Sequence, residues 1–215
     1  MKIIIKRTRR KSITLKLLDC DLAEVSAPLK MKTEAIEDFV KKHKLWLDKC
    51  SKQKQIQNLK IDEILCGNCL QIFGEKAYCH QDCNEILFNN LKENSIRINT
   101  KVLKQFRVLA ENNLERLFNE SIIKTTLKNS KLKLYCLRRS WGSCNSKKQI
   151  MLNVKLFMLP KDLIQYVIYH EISHLKHMNH STIFWKSVEC FVPDYKERRK
   201  QLKEYSYVLD PKIKF

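Results

Sequence analysis

An α+β architecture is what this sequence predicts, on three observations. Short alternating apolar and polar segments at the amino end read as strands, while broad apolar stripes at helical spacing occupy 101–128 and much of the chain after Pro160. Between these stripes the apolar residues come in brief runs broken by turn residues. The expected order is N-terminal small β-strands plus a helix, a central long helix, a short antiparallel sheet and a strongly patterned C-terminal helix with further helices after it. Two lobes follow from that order, a mixed β/α lobe over 1–99 and a second over 100–215, expected to form one compact unit.

Element by element, residues 2–5, 12–18 and 23–27 alternate and read as strands, and Pro28 closes the group. Thr33 caps a run with Ile36, Phe39, Val40, His43, Trp46 and Leu47 near helical spacing, which predicts an amphipathic helix ending in the Lys- and Gln-rich stretch from Ser51. Residues 51–60 read as a connector. From Glu63 to Asn99 the interruptions at Gly67, Gly74 and Asn89-Asn90 suit hairpins. Val102, Leu103, Phe106, Leu109, Leu114, Leu117 and Phe118 then make one stripe, a long helix that is continuous or broken near Asn112. Alternation at 132–136 and the apolar run 150–154, on either side of a polar turn at 145–148, predict two paired strands. Pro160 and Asp162 mark the start of the next helix.

Composition sets limits on function. The chain has 215 residues, 44% of them hydrophobic and 30% charged, which excludes a disordered or fibrous class. Its net charge of +19 and pI near 9.6 suit nucleic acid or another polyanion and fit a Lys-, Ile- and Asn-rich genome equally well. No stretch is apolar enough for a membrane span and none reads as a signal peptide. Nine cysteines, an odd number, then predict reduced thiols and a cytoplasmic setting. Nothing in the sequence sets an oligomeric state.

The chemistry concentrates in His170-Glu-Ile-Ser-His-Leu-Lys-His-Met-Asn-His180, which holds four of the six histidines. Residues four apart on a helix share a face, so His170 and His174 can offer two imidazole nitrogens to one ion. Glu171 beside them can accept a proton from the attacking water, as in H-E-x-x-H helices of zincin type. Leu163, Ile164, Val167, Ile168 and Ile172 make the rest of that helix apolar, where unpartnered polar groups are costly. The expectation is a zinc-dependent peptidase with Glu171 as general base. A third ligand is required, and spacing leaves it open among His180, His177 and a downstream carboxylate such as Glu189, Glu197 or Glu204. No methionine follows His180, so a metzincin Met-turn is excluded.

Ser140-Trp-Gly-Ser-Cys144, Ile150-Met-Leu-Asn153, Tyr166-Val-Ile-Tyr-His-Glu-Ile-Ser-His-Leu175 and Asn179-His-Ser181 with Phe184-Trp185 resemble the YgjP-like metallopeptidases, relatives of the WLM and SprT-like proteases. The resemblance extends more weakly through Arg7 to Ser12, Ala27-Pro28 and the helix bearing Phe39, Val40 and Trp46. It implies a zincin-like peptidase lobe, Zn²⁺ as cofactor, a polypeptide substrate, and His180 as third metal ligand, which leaves His177 outside the ligand set. It also implies that the strand near Ile150 to Asn153 lies beside the cleft, where an extended peptide could pair with it, with the tryptophan motif as a brace. Trp141 and Trp185 are otherwise read as core packing. The oxyanion donor stays open among Tyr195, Arg138, Arg139 and His177.

Cys66, Cys69, Cys79 and Cys83 are spaced as ligands of a second, structural zinc, and equally suit a plain hairpin with buried thiols. Such a knuckle on a basic chain supports an alternative function, a nucleic-acid-binding module. A further alternative joins the two, a protease acting on DNA-bound proteins as the relatives do. A scaffold that keeps zinc without proteolysis is the last.

Overall fold

The computed structural model describes residues 1–65, 70–79, 86–88, 100–125, 127 and 131–213. The chain divides into two compact units, Met1–Lys60 and Ile61–Phe215. The division expected at 99/100 thus differs from the one the contacts draw, because Ile61, Ile64, Leu70, Ile72 and Ala77 are all buried in the core of the second unit.

In the first unit, β1 (Lys2–Thr8), β2 (Thr14–Asp19) and β3 (Leu22–Pro28) form a sheet in the order β1-β3-β2, with β1 parallel and β2 antiparallel to the central strand. Ala23, Val25 and Ala27 alternate inward from β3, and Val25 and Ala27 cluster with Ile36 of α1 (Thr33–Lys42). A second helix, α2 (Lys44–Leu65), follows almost at once. The stretch 51–60 is therefore helical and not a connector: its Lys, Gln and Leu are good helix formers, and no Gly or Pro interrupts them.

The second unit opens with β4 (Leu70–Ile72), β5 (Glu75–Cys79) and β6 (Ile86–Phe88), an antiparallel set that agrees with the hairpins expected there. Phe73 and Gly74 turn the first hairpin with φ of 52° and 82°. Positive φ at both central residues matches the twist of the flanking strands. The hairpin tip is tied down, since the amides of Phe73 and Gly74 donate to the carbonyls of Phe157 and Met158. Gly74 is also needed for space: a Cβ there would lie 2.7 Å from Cγ of Pro160.

One unbroken helix, α3 (Thr100–Ile123), buries Phe106, Ala110, Leu114, Leu117 and Phe118. Then β7 (Lys131–Tyr135), β8 (Gly142–Cys144) and β9 (Gln149–Asn153) form a mixed sheet in the order β7-β9-β8. The expected short antiparallel sheet is found between β8 and β9, but β7 joins β9 in parallel. The cause is β8 itself, an extra strand from the tryptophan motif that pairs back through the 145–148 turn and so takes the antiparallel place beside β9. Asn145 anchors that turn, its Oδ1 accepting from the amides of Lys147 and Gln149.

After a buried 3-10 turn, Val154–Met158, comes α4 (Lys161–His174), with Leu163, Ile164, Val167, Ile168 and Ile172 buried as the apolar pattern predicts. The chain ends in α5 (Thr182–Glu189), α6 (Tyr195–Glu204) and a 3-10 turn at Ser206–Leu209. No described helix is long and apolar enough to cross a membrane.

Candidate metal centre and active-site cleft

The last turn of α4 carries His170, Glu171 and His174. His170 and His174 share one face and meet edge to face, their ring centroids 5.0 Å apart. Beyond the helix the chain turns and returns, so that His180 Nε2 lies 3.1 Å from His170 Nε2. One ligand atom from each of His170, His174 and His180 lies within 4.8 Å of the others. Two nitrogens that share a tetrahedral ion at about 2.0–2.1 Å stand about 3.3 Å apart, so this spacing suits a common metal.

The return of the chain has a local cause. Ser181, next to His180, caps α5 by accepting from the Phe184 amide. That cap fixes the first turn of α5 and sets Phe184 and Trp185 against the histidines. Phe184, fully buried, is the floor of the cluster, with its ring centroid 5.0, 4.5 and 4.8 Å from those of His170, His174 and His180. Trp185 stacks on His180 at 5.5 Å and on Tyr195 at 5.2 Å.

Hydrogen bonding prepares the donors. His174 Nδ1 sits 3.0 Å from the His177 carbonyl, an acceptor, so Nδ1 carries the proton and Nε2 keeps its lone pair. The role of His177 here is through its backbone; its ring lies outside the three-histidine group. Burial, with His174 and His180 adding to it, pushes His170 down to about 3, and burial also lowers His174. Both rings are then neutral near pH 7, the form that binds metal. His170 Nδ1 and Glu171 Oε2 are buried without a partner among the described residues. Glu171 is 5% exposed, and burial raises its carboxyl to about 8. A buried carboxyl without a partner, beside three convergent imidazoles, is what a cation would relieve, so the residues present fit a metal.

Glu171 is approached from β8. A Cβ on Gly142 would lie 2.8 Å from Glu171 Cγ and 2.9 Å from its Oε1. Asn153 holds that approach in place: its amide donates to the Trp141 carbonyl, and its Nδ2 donates to the carbonyls of Leu137 and Ser140, each at 2.8 Å. Both stand in the motifs that carry the family resemblance, but those motifs assign neither a role of its own. The scarcity of glycine, 3 in the whole chain, was the available signal for Gly142.

The strand suggested for peptide pairing is corrected by the sheet order. β9 is central, with β7 on one side and β8 on the other, so neither of its edges can receive a substrate. The strand beside the cleft with an outer edge is β8. A cleft of about 410 Å³ opens next to His170 and Glu171, with Trp141 and Gly142 in its wall. Of the oxyanion candidates Arg139 lines it, while Tyr195 is buried against Trp185. Tyr166 lines it too and was missed, although it stands one turn before His170 on the same helix face.

The downstream carboxylates Glu189, Glu197 and Glu204 are not part of the three-residue cluster. Cys66, Cys69 and Cys83 lie outside the described residues, as does the side chain of Cys79. Cys20, Cys50, Cys144 and Cys190 are free thiols.

Comparison with known proteins bears on the same residues. No curated protein matches the chain. Among solved structures, the metallopeptidase zymogen abylysin of Pyrococcus abyssi is similar at 25% identity and a TM-score of 0.38, over 41% of this chain and 90% of that one. Jannalysin of Methanocaldococcus jannaschii, also a metallopeptidase zymogen, is similar at 19% identity and a TM-score of 0.39, over 43% and 95%. The YgjP-like family model, described as a metallopeptidase domain, matches residues 11–205, a span that takes in the tryptophan motif, the histidine helix and the return to His180; the chain belongs to that family and is a metallopeptidase.

Proposed function

We propose that this metallopeptidase is a zinc enzyme, with His170, His174 and His180 as metal ligands and Glu171 as the general base. The convergence of three imidazoles beside a buried carboxylate supports the reading most directly. Three imidazole nitrogen donors of borderline softness suit zinc and leave a fourth position for water or substrate.

Zinc in this position would supply a Lewis acid for the scissile carbonyl and acidify the attacking water. Glu171 takes the proton of that water and later hands it to the leaving amine. Its closed surroundings, with Gly142 against its Cγ, keep the carboxylate in one orientation. Asn153 fixes β8, and the outer edge of β8 is where an extended peptide adds by main-chain hydrogen bonds. His177 orients His174 through its carbonyl and binds no metal itself.

Metal analysis of wild type beside His180→Ala and His177→Ala tests the ligand set. One zinc per chain is expected in wild type and in the second variant, and none retained by the first after dialysis. Equal zinc in wild type and His180→Ala would remove the assignment.

A further inference from the structure

We infer that the cleft beside Glu171 is a side-chain pocket that selects an acidic residue, Asp or Glu, adjacent to the bond that is cut; this rests on the peptidase reading above. The cleft has His170 and Glu171 in its wall, so whatever fills it lies against the reacting centre. At about 410 Å³ it is large enough for a peptide side chain and part of its backbone.

Its charge is one-sided. Arg139 comes from the segment before β8, and Arg199 and Lys203 come from α6. None of the three makes an ion pair among the described residues, whereas the neighbouring Arg198 is paired with both Asp162 and Asp194. The sole carboxylate among the lining residues is Glu171, which catalysis reserves. Arg199 and Lys203 are four apart on one helix, an arrangement of like charges that costs stability unless an anion lies between them.

The floor suits the stem of an acidic side chain. Val167, Leu202 and Leu209 give it apolar surface for methylene groups, and apolar walls strengthen a charge-assisted hydrogen bond at the rim. Arg199 is already oriented, with its guanidinium carbon 5.0 Å from the Trp185 ring centre, so little freedom is lost when a carboxylate docks. A lysine or arginine side chain would meet three like charges and be rejected.

The test uses internally quenched peptides that are identical except for Glu, Gln or Lys beside the cleaved bond, each made with a free and with an amidated C-terminus. Two readouts are taken: kcat/KM with the zinc-loaded full chain, and Kd with zinc-loaded Glu171→Gln, which binds without turnover. The Glu peptide is expected to exceed its Gln counterpart by about tenfold or more in both, whatever its C-terminus, with Lys lowest. In Arg199→Gln/Lys203→Gln that ratio should collapse in both readouts while zinc content and the rate on the Gln peptide hold, and in Arg139→Gln the Kd ratio should fall as well. Equal handling of Glu and Gln, a ratio that survives these substitutions, or an effect that follows the free C-terminus would each overturn the pocket assignment. If wild type cuts no peptide, the peptidase reading fails on its own, and the Kd ratios still decide whether the cleft prefers an acidic side chain.

Discussion

Gly142 and Glu171 are in contact across the wall of the cleft, with no room for a methyl group between them: a Cβ on Gly142 would lie 2.8 Å from Glu171 Cγ. Because Gly142 belongs to a paired strand, the strand cannot easily retreat, and the carboxylate must move instead. Gly142→Ala should therefore lower kcat by about 100-fold through misplacement of the base. Overpacking should cost about 1–3 kcal/mol of stability. Zinc content should stay at the wild-type level, which separates a displaced base from a lost metal; paired metal analysis and kcat measurement check this.

Replacement of the base itself gives a sharper pattern. Glu171→Gln should keep its metal and lose turnover by about 100- to 10,000-fold.

The metal-free protein should also show a pH signature. Burial raises the Glu171 carboxyl from 4.5 to about 8, so between those values the folded chain holds a proton that the unfolded chain has released. Its contribution is complete below 4.5 and is lost as pH rises through about 8. His170, lowered from 6.5 to about 3, acts in the opposite sense and makes stability rise with pH over that lower window. Above 6.5 only the Glu171 slope of these two remains. Urea midpoints of the metal-free wild type should fall between pH 6.5 and 8 relative to Glu171→Gln; parallel curves would show that this carboxyl is not protonated.

Trp185 stacks on His180 at an interplanar angle of 23° and is itself backed by Tyr195 at 14°. His180 is exposed, and this stack limits its ring together with the edge contact to Phe184. Trp185→Ala should weaken zinc binding about 10- to 100-fold, the usual scale for partners that orient a ligand. Trp185→Phe should recover most of that loss. Competition against a chelator of known affinity measures both.

Far from the chemistry, Gly74→Ala should destabilise the fold. The residue has φ of 82°, and its Cβ would meet Pro160 at the start of α4. A loss of about 2 kcal/mol or more is expected in urea unfolding, from strain and crowding together.

Local pattern made much of this legible. The apolar period of α4 put His170 and His174 on one face with Glu171 beside them, alternation marked out β3 and β7, and an apolar run marked out β9. The same pattern failed at 51–60, where a polar stretch without Gly or Pro read as a linker and folds as helix, because exposed helix needs propensity more than periodicity. It also missed β8, whose Gly-Ser-Cys triplet has no strand signature and is extended because it pairs with β9.

By itself the sequence determined the histidine helix, the family resemblance and the α+β class, since each rests on residues near one another in the chain. Tertiary structure decided which histidine ring lies beside His170, which strand occupies the centre of the sheet, and that Gly142 and Asn153 serve the site at all. Those are relations between distant segments packed to contact, and spacing along a chain says nothing about which way a turn brings it back.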